Sequence, residues 1–136
     1  MGRDKTLDGY LPLEVAAITE LLAGPDPILG ELRLQFEASS AGQREWTGVG
    51  FWLAITTPPD TVPLPLEKDL YLSDVGAELE GVEHGVGFVL HVFDGLLGQL
   101  EGFTYDQPWP DWTGAFVVAY IRDGKLSPER SEMDPL

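Results

Sequence analysis

The sequence predicts an α+β domain: two N-terminal helices packed on an antiparallel sheet of five to six strands. Three observations point there. Leu11, Val15, Ile18 and Leu22 recur at helical spacing, with Pro12 near the start and Gly24 just past the end. From Arg44 onward the apolar pattern becomes β-like. Asp94-Gly95 and Asp123-Gly124 are turn dipeptides set after apolar runs, the short-range signal of a hairpin.

Taken in order, residues 1–10 read as a flexible arm ahead of a first helix of about three turns. Gly24-Pro-Asp-Pro27 breaks the chain, and Asp26 can cap a second helix that opens on Pro27. Ile28, Leu32 and Phe36 mark the buried stripe of that helix, although Leu32, Leu34 and Phe36 also alternate as a strand would. Gly48–Ile55 is rich in β-favouring side chains, and Pro58–Pro65 reads as a proline-punctuated loop. Residues 69–73 and 76–82 read as one interrupted strand. Val86–Phe93 is apolar at both alternating sets of positions, which predicts a central strand covered on both faces. In the next strand, Leu96 to Thr104, alternation places Leu97, Gln99, Glu101 and Phe103 on one face and Leu96, Leu100 and Thr104 on the other. Leu100 and Phe103 are then core residues on opposite faces. Phe116–Arg122 is a further strand, and residues 127–136, SPERSEMDPL, read as a solvated tail.

At 136 residues, 43% hydrophobic and 23% charged, the chain is of single-domain size and can bury a core without staples. It has no cysteine, which excludes disulfides, a thiolate nucleophile and a Cys-type zinc site, and fits a reducing cytoplasm. No apolar run resembles a signal peptide or a membrane span. Gly2 and Thr6 match the acylation pattern M-G-x-x-x-[ST], a pattern too permissive to carry a site. Eight basic residues face 23 acidic ones, a formal net charge of −15. That charge disfavours nucleic acid and anionic membranes as partners. Between Lys68 and Arg122 there is no Lys or Arg, while Asp69, Asp74, Glu78, Glu80, Glu83, Asp94, Glu101, Asp106 and Asp111 all fall inside. Two readings follow: a well-solvated protein from an acid-biased proteome, or a face that steers a basic partner in.

REWTGVGFW (Arg44–Trp52), LSDVGAELEGVEHGVGFVLHVFDG (Leu72–Gly95) and LEGFTYDQPWP (Leu100–Pro110) carry a resemblance. In order and spacing these pieces are similar to an uncharacterised family of small bacterial proteins, over about half the chain. The resemblance implies an autonomous bacterial domain and supplies no catalytic residues.

The chemistry-bearing residues cluster late. Glu80-Gly-Val-Glu-His-Gly85 brings two carboxylates and an imidazole close in sequence, with His91 and Asp94 beyond. A mixed metal site is disfavoured, because seven residues separate His84 from His91 and an odd spacing along a strand turns the rings to opposite faces. The expectation is that His84 bonds a turn and that His91 is packed with both ring nitrogens satisfied. TGVGF lacks the third glycine, helix and lysine of a phosphate cradle, and no nucleophile elbow is present. No cofactor, metal or catalytic residue is therefore assigned.

LEGFTYDQPWPDW (Leu100–Trp112) holds four aromatic rings, three carboxylates and two prolines. Pro108 and Pro110 end the sheet and stiffen the loop that carries Trp109 and Trp112. These indoles either fold back to plug the core or stand out as rigid anchors rimmed by Asp106 and Asp111. The leading expectation is a small non-enzymatic interaction domain that presents Asp106, Trp109, Asp111 and Trp112, with Glu80 and Glu83, to a basic protein such as a toxin it neutralises. The alternative is an enzyme acting on a small molecule or carbohydrate with Glu83 or Glu101 as acid/base. That alternative requires a pocket where at least two of Glu83, His84, Glu101, Tyr105 and Asp106 converge.

Overall fold

Proline opens both helices. The computed structural model, which describes residues 4–111 and 114–131, places α1 at Pro12–Leu21 and α2 at Pro27–Ala38. At these first positions the missing proline N–H leaves no helical bond unmade. The Glu14 carboxylate reaches back to accept from the Leu11 N–H at 2.8 Å, and Asp26 accepts from the Ile28 N–H at 2.9 Å. The capping and the helical reading of 27–38 agree with the sequence pattern. Neither helix is long and apolar enough to cross a membrane.

Seven strands follow: β1 Ser40–Trp46, β2 Gly50–Thr56, β3 Leu70–Leu79, β4 Val86–Phe93, β5 Leu96–Thr104, β6 Phe116–Arg122 and β7 Lys125–Ser127. They form one sheet in the order β1-β2-β5-β4-β3-β6-β7, with every neighbouring pair antiparallel. The fold is α+β with helices packed on an antiparallel sheet, as expected. The count exceeds five to six because Ser40–Trp46 pairs as a strand of its own and the chain turns back after Asp123-Gly124. Asp94-Gly95 and Asp123-Gly124 both have two consecutive positive φ angles, the signature of the hairpin turn that matches strand twist.

Both helices lie on one face of the sheet. Leu53, Leu100, Leu90 and Leu72 stand opposite one another across four strands. Phe51, Gly102, Phe88, Val75 and Tyr120 form the next row. These rows join Ala17, Ile18, Leu21, Leu22, Leu29 and Leu32 of the helices in one buried cluster. Among the described residues no helix covers the opposite, outer face, so β4 is central but not covered on both sides.

Two irregularities decide which side chains reach the core. In β5 the register steps between His91↔Gln99 and Val92↔Leu97, leaving Gly98 as the extra residue. Leu97 and Leu100 thereby both point inward, at 2% and 0% exposure. Simple alternation had grouped Leu97 with Gln99, Glu101 and Phe103. The latter three in fact face outward, and Phe103 is no core residue. A similar step in β3, between Leu72 and Val75, turns both of those inward.

The expected arm and tail are both structured where they are described. Lys5–Asp8 forms one 3-10 turn, and the Lys5 ammonium donates to the Glu37 and Ser39 carbonyls at 3.1 and 2.6 Å at the end of α2. At the other terminus Arg130 reaches the end of α1, whose last turn contains no basic residue. Its guanidinium donates to the carbonyls of Glu20 (3.1 Å), Leu21 (2.8 Å) and Ala23 (2.5 Å) and to Asp74 at 2.7 Å. Arg33 donates to the Leu22 carbonyl at 2.5 Å and the Gly24 carbonyl at 3.0 Å. The partial negative charge of the α1 C-terminus is thus met by two guanidinium groups borrowed from outside the helix.

Replacing Arg130 with Ala is expected to cost about 2–4 kcal/mol, since it strips charged donors from several carbonyls and leaves Asp74 without this partner. Thermal melting should show a fall on the order of 10 °C. Lys at this position should recover little of it, because an ammonium cannot span the same acceptors. A second prediction concerns Tyr10, which is 2% exposed and shares a 2.7 Å hydrogen bond with Ser39 Oγ. Burial pushes its phenol up from 10.0 to about 12. The folded state therefore favours the neutral form, and this stability is complete below about pH 10 and lost as pH rises through 12. Urea unfolding should lose about 2–3 kcal/mol more over that window in the native chain than in Tyr10→Phe.

Candidate functional site

Two turns at one end of the sheet are tied together by a single amide. Gln107 Oε1 accepts from the Glu83 N–H at 2.9 Å, and its Nε2 donates to the Gly81 carbonyl at 3.2 Å. Glu80 is held to Ala115 twice: its own N–H donates to the Ala115 carbonyl at 3.1 Å, and its carboxylate accepts from the Ala115 N–H at 3.3 Å. Asp106 sits in the neighbouring turn with φ +59°, a conformation that Asp tolerates better than most residues. Glu80, Glu83 and Asp106 are all exposed, so three of the predicted binding residues share this end of the molecule. Glu78, Glu80 and Glu83 also line an open cleft of about 430 Å³ with Val82, Phe116 and Val117. Gln107, which positions both turns, is not apparent from the sequence because its partners are 24 and 26 residues away.

Trp109 behaves as a plug. Its N–H donates to the Gly48 carbonyl at 2.9 Å, and its ring meets Phe51 edge to face at a centroid distance of 5.3 Å. It packs against the core from the side of the β1–β2 hairpin. Asp111 is exposed at the lip of an adjoining cleft of about 400 Å³ lined by Leu13, Glu14, Trp46, Phe51, Trp109 and Phe116 among others. Trp112 lies outside the described residues. Of the two indoles expected either to plug the core or to stand out as anchors, the one described is turned inward; its outer edge, with Trp46, lines the cleft walls.

The outer face of the sheet holds a cluster that the sequence reading split apart. His91 Nε2 lies 2.6 Å from Glu101 Oε1, and the same oxygen accepts from Gln99 Nε2 at 3.2 Å. The other ring nitrogen, Nδ1, is buried with no hydrogen-bond partner among the described residues. That overturns the expectation that both ring nitrogens are satisfied. The imidazole meets Tyr71 edge to face at 5.0 Å and stacks on Phe93 at 5.5 Å. Trp52 stands directly opposite Glu101 on β2. The signal that could have found this cluster is Gly98: an extra residue there carries Gln99 and Glu101 onto the face of His91.

His84 and Tyr105 converge on a third cleft, of about 440 Å³, with Ile121 and Leu126. His84 and Tyr105 thus meet the requirement of the enzyme alternative that at least two of the five named groups share a pocket. The carboxylates it names do not join them: Glu83 lines the cleft beside Glu80, and Glu101 stands mid-strand on the outer face. Among the described residues no group of three His, Asp or Glu is placed to hold a metal ion.

No protein-family model, curated protein or solved structure matches the chain.

Trp109→Ala is expected to lower stability by about 2 kcal/mol, less than full burial would give, because the ring is only partly covered. Chemical denaturation reads this directly; an unchanged midpoint would show that Phe51 needs no lid.

Proposed function

We propose that the protein is a non-catalytic interaction domain that captures a basic protein partner, with neutralisation of a toxin as one concrete form. The observation that carries this reading is where the cations go. Lys5, Arg33, Arg44 and Arg130 all donate inward, to backbone carbonyls or to the carboxylates of Asp8, Glu14 and Asp74. Lys5 is buried and Arg44 and Arg130 are half-buried, so three of eight basic residues are drawn in from the surface and Arg33, though exposed, is tied to carbonyls, while Glu80, Glu83, Asp106 and Asp111 stand exposed on turns at the sheet end. A field of one sign accelerates encounter with a partner of the other and rejects partners of the same sign. The carboxylates on short, internally bonded turns support capture without refolding, which limits the entropy lost on binding.

The test is retention of basic proteins on the immobilised chain at low salt, released by a rising gradient. A single basic protein leaving in one sharp step is the expected result. Glu80→Lys, Glu83→Lys and Asp106→Lys combined should move that step to lower salt, since screening at about 0.1 M already acts over ~10 Å. Retention that ignores salt and these substitutions would rule the reading out.

A further inference from the structure

We infer that the partner docks on the outer face of the sheet, around Glu101, and that what it lays there is an extended segment bearing arginine or lysine among apolar side chains. This rests on the basic-partner reading and adds the surface and the chemistry of the contact.

The strand register identifies the face. Outward positions include Trp52, Glu101 and Val89 in one row and Ala54, Gln99, His91 and Tyr71 in the next. Tyr71 is 59% exposed and Phe93 39%, and both are strand residues, at the Asp94-Gly95 hairpin end of β3 and β4. Apolar and aromatic groups gathered on one open face are uncommon in a chain that works alone. Among the described residues no helix covers them, because both helices are spent on the opposite side.

Charge decides between occupants. The face carries Glu45, Glu78 and Glu101, and no outward register position along the seven strands is Lys or Arg. A second copy would press like charges together on chains of net charge −15. A cationic segment meets the same carboxylates favourably. Glu101 is the best placed of them: His91 and Gln99 both hold its Oε1, yet the side chain remains 42% exposed. A carboxylate already oriented loses little freedom when a guanidinium pairs with it. Trp52 directly across the strand pair and Tyr71 beyond His91 supply ring faces, to which a cation is also attracted. His91 is a positioning residue in this arrangement. Its Nδ1 is buried and has no partner among the described residues, so the imidazole serves to hold Glu101 rather than to meet the partner.

The experiment titrates the isotope-labelled full chain with a capped heptapeptide of alternating arginine and leucine, followed by backbone amide shifts, beside a control in which glutamine replaces each arginine. The expected result is that shifts concentrate at Tyr71, His91, Gln99 and Glu101 for the arginine peptide alone. Glu101→Gln should then weaken binding about tenfold, as loss of a charge-assisted contact does, and Tyr71→Ala about threefold. Glu31→Gln, an exposed position on α2 at the opposite side of the sheet, should leave the affinity unchanged, and melting curves confirm that each variant is folded. Shifts confined to Glu80, Glu83 and Asp106, with Glu101→Gln neutral, overturn the docking face and leave the basic-partner reading standing. No binding of the arginine peptide anywhere removes both. A free chain that sediments as a dimer, with the same face protected, overturns the choice of occupant in favour of a second copy.

Discussion

A seven-stranded sheet served by two short helices can be buried on one side only, and most of this molecule follows from that shortage of cover. The helices take the face built by Phe51, Leu53, Leu72, Val75, Phe88, Leu90 and Leu100, all of which are nearly inaccessible. The strands must therefore deliver their large aliphatic residues to that side, and where strict alternation would fail to do so the backbone yields instead. The extra residue at Gly98 and the register step between Leu72 and Val75 are the visible adjustments. Each trades regular pairing for one more leucine or valine in the core, and the burial of such a side chain is worth about 1.5–3 kcal/mol.

The few cations are placed with equal consequence. A chain this acidic meets self-repulsion when it folds, and its helices end in carbonyls that need donors. Arg130 and Arg33 answer both needs at the end of α1, and Lys5 does so after α2, beside the rings of Tyr10 and Phe36 at 5.4 and 5.2 Å. Arg44 pairs with the buried Glu14 through contacts of 2.6 and 2.7 Å, and that pairing raises the affinity of its guanidinium for its proton. The segments that supply Lys5 and Arg130 are the ones that composition marks as arm and tail. They are held because the core helices lack their own counter-charges.

What remains outward is the complement of these choices: acidic turns at one end of the sheet and an open aromatic face with a single well-held carboxylate near its middle. The two regions are continuous through β4 and β5, whose far ends run into the turns that carry Glu83 and Asp106. Trp109 belongs to neither. It closes the core where the β1–β2 hairpin would otherwise leave Phe51 open, so the described ring most suggestive of a binding anchor is a structural lid.

Local chemistry was enough to read the helix caps at Pro12, Asp26 and Pro27, the turns at Asp94-Gly95 and Asp123-Gly124, and the limits of the strands at 96–104 and 116–122. Each of these depends on residues within a few positions of one another, so the chain itself determined them. The exclusion of disulfide and thiolate chemistry and the sign of the electrostatic field are likewise properties of composition. Tertiary structure decided the rest. Whether Leu97 points in or out depends on what Leu90 and Val92 present across the strand pair; whether Trp109 is lid or anchor depends on Phe51; and His91 meets Glu101 only because Gly98 shifts the register. Those outcomes are set by competition for one buried face between residues far apart in sequence, and a period of two along a single strand carries no information about which competitor wins.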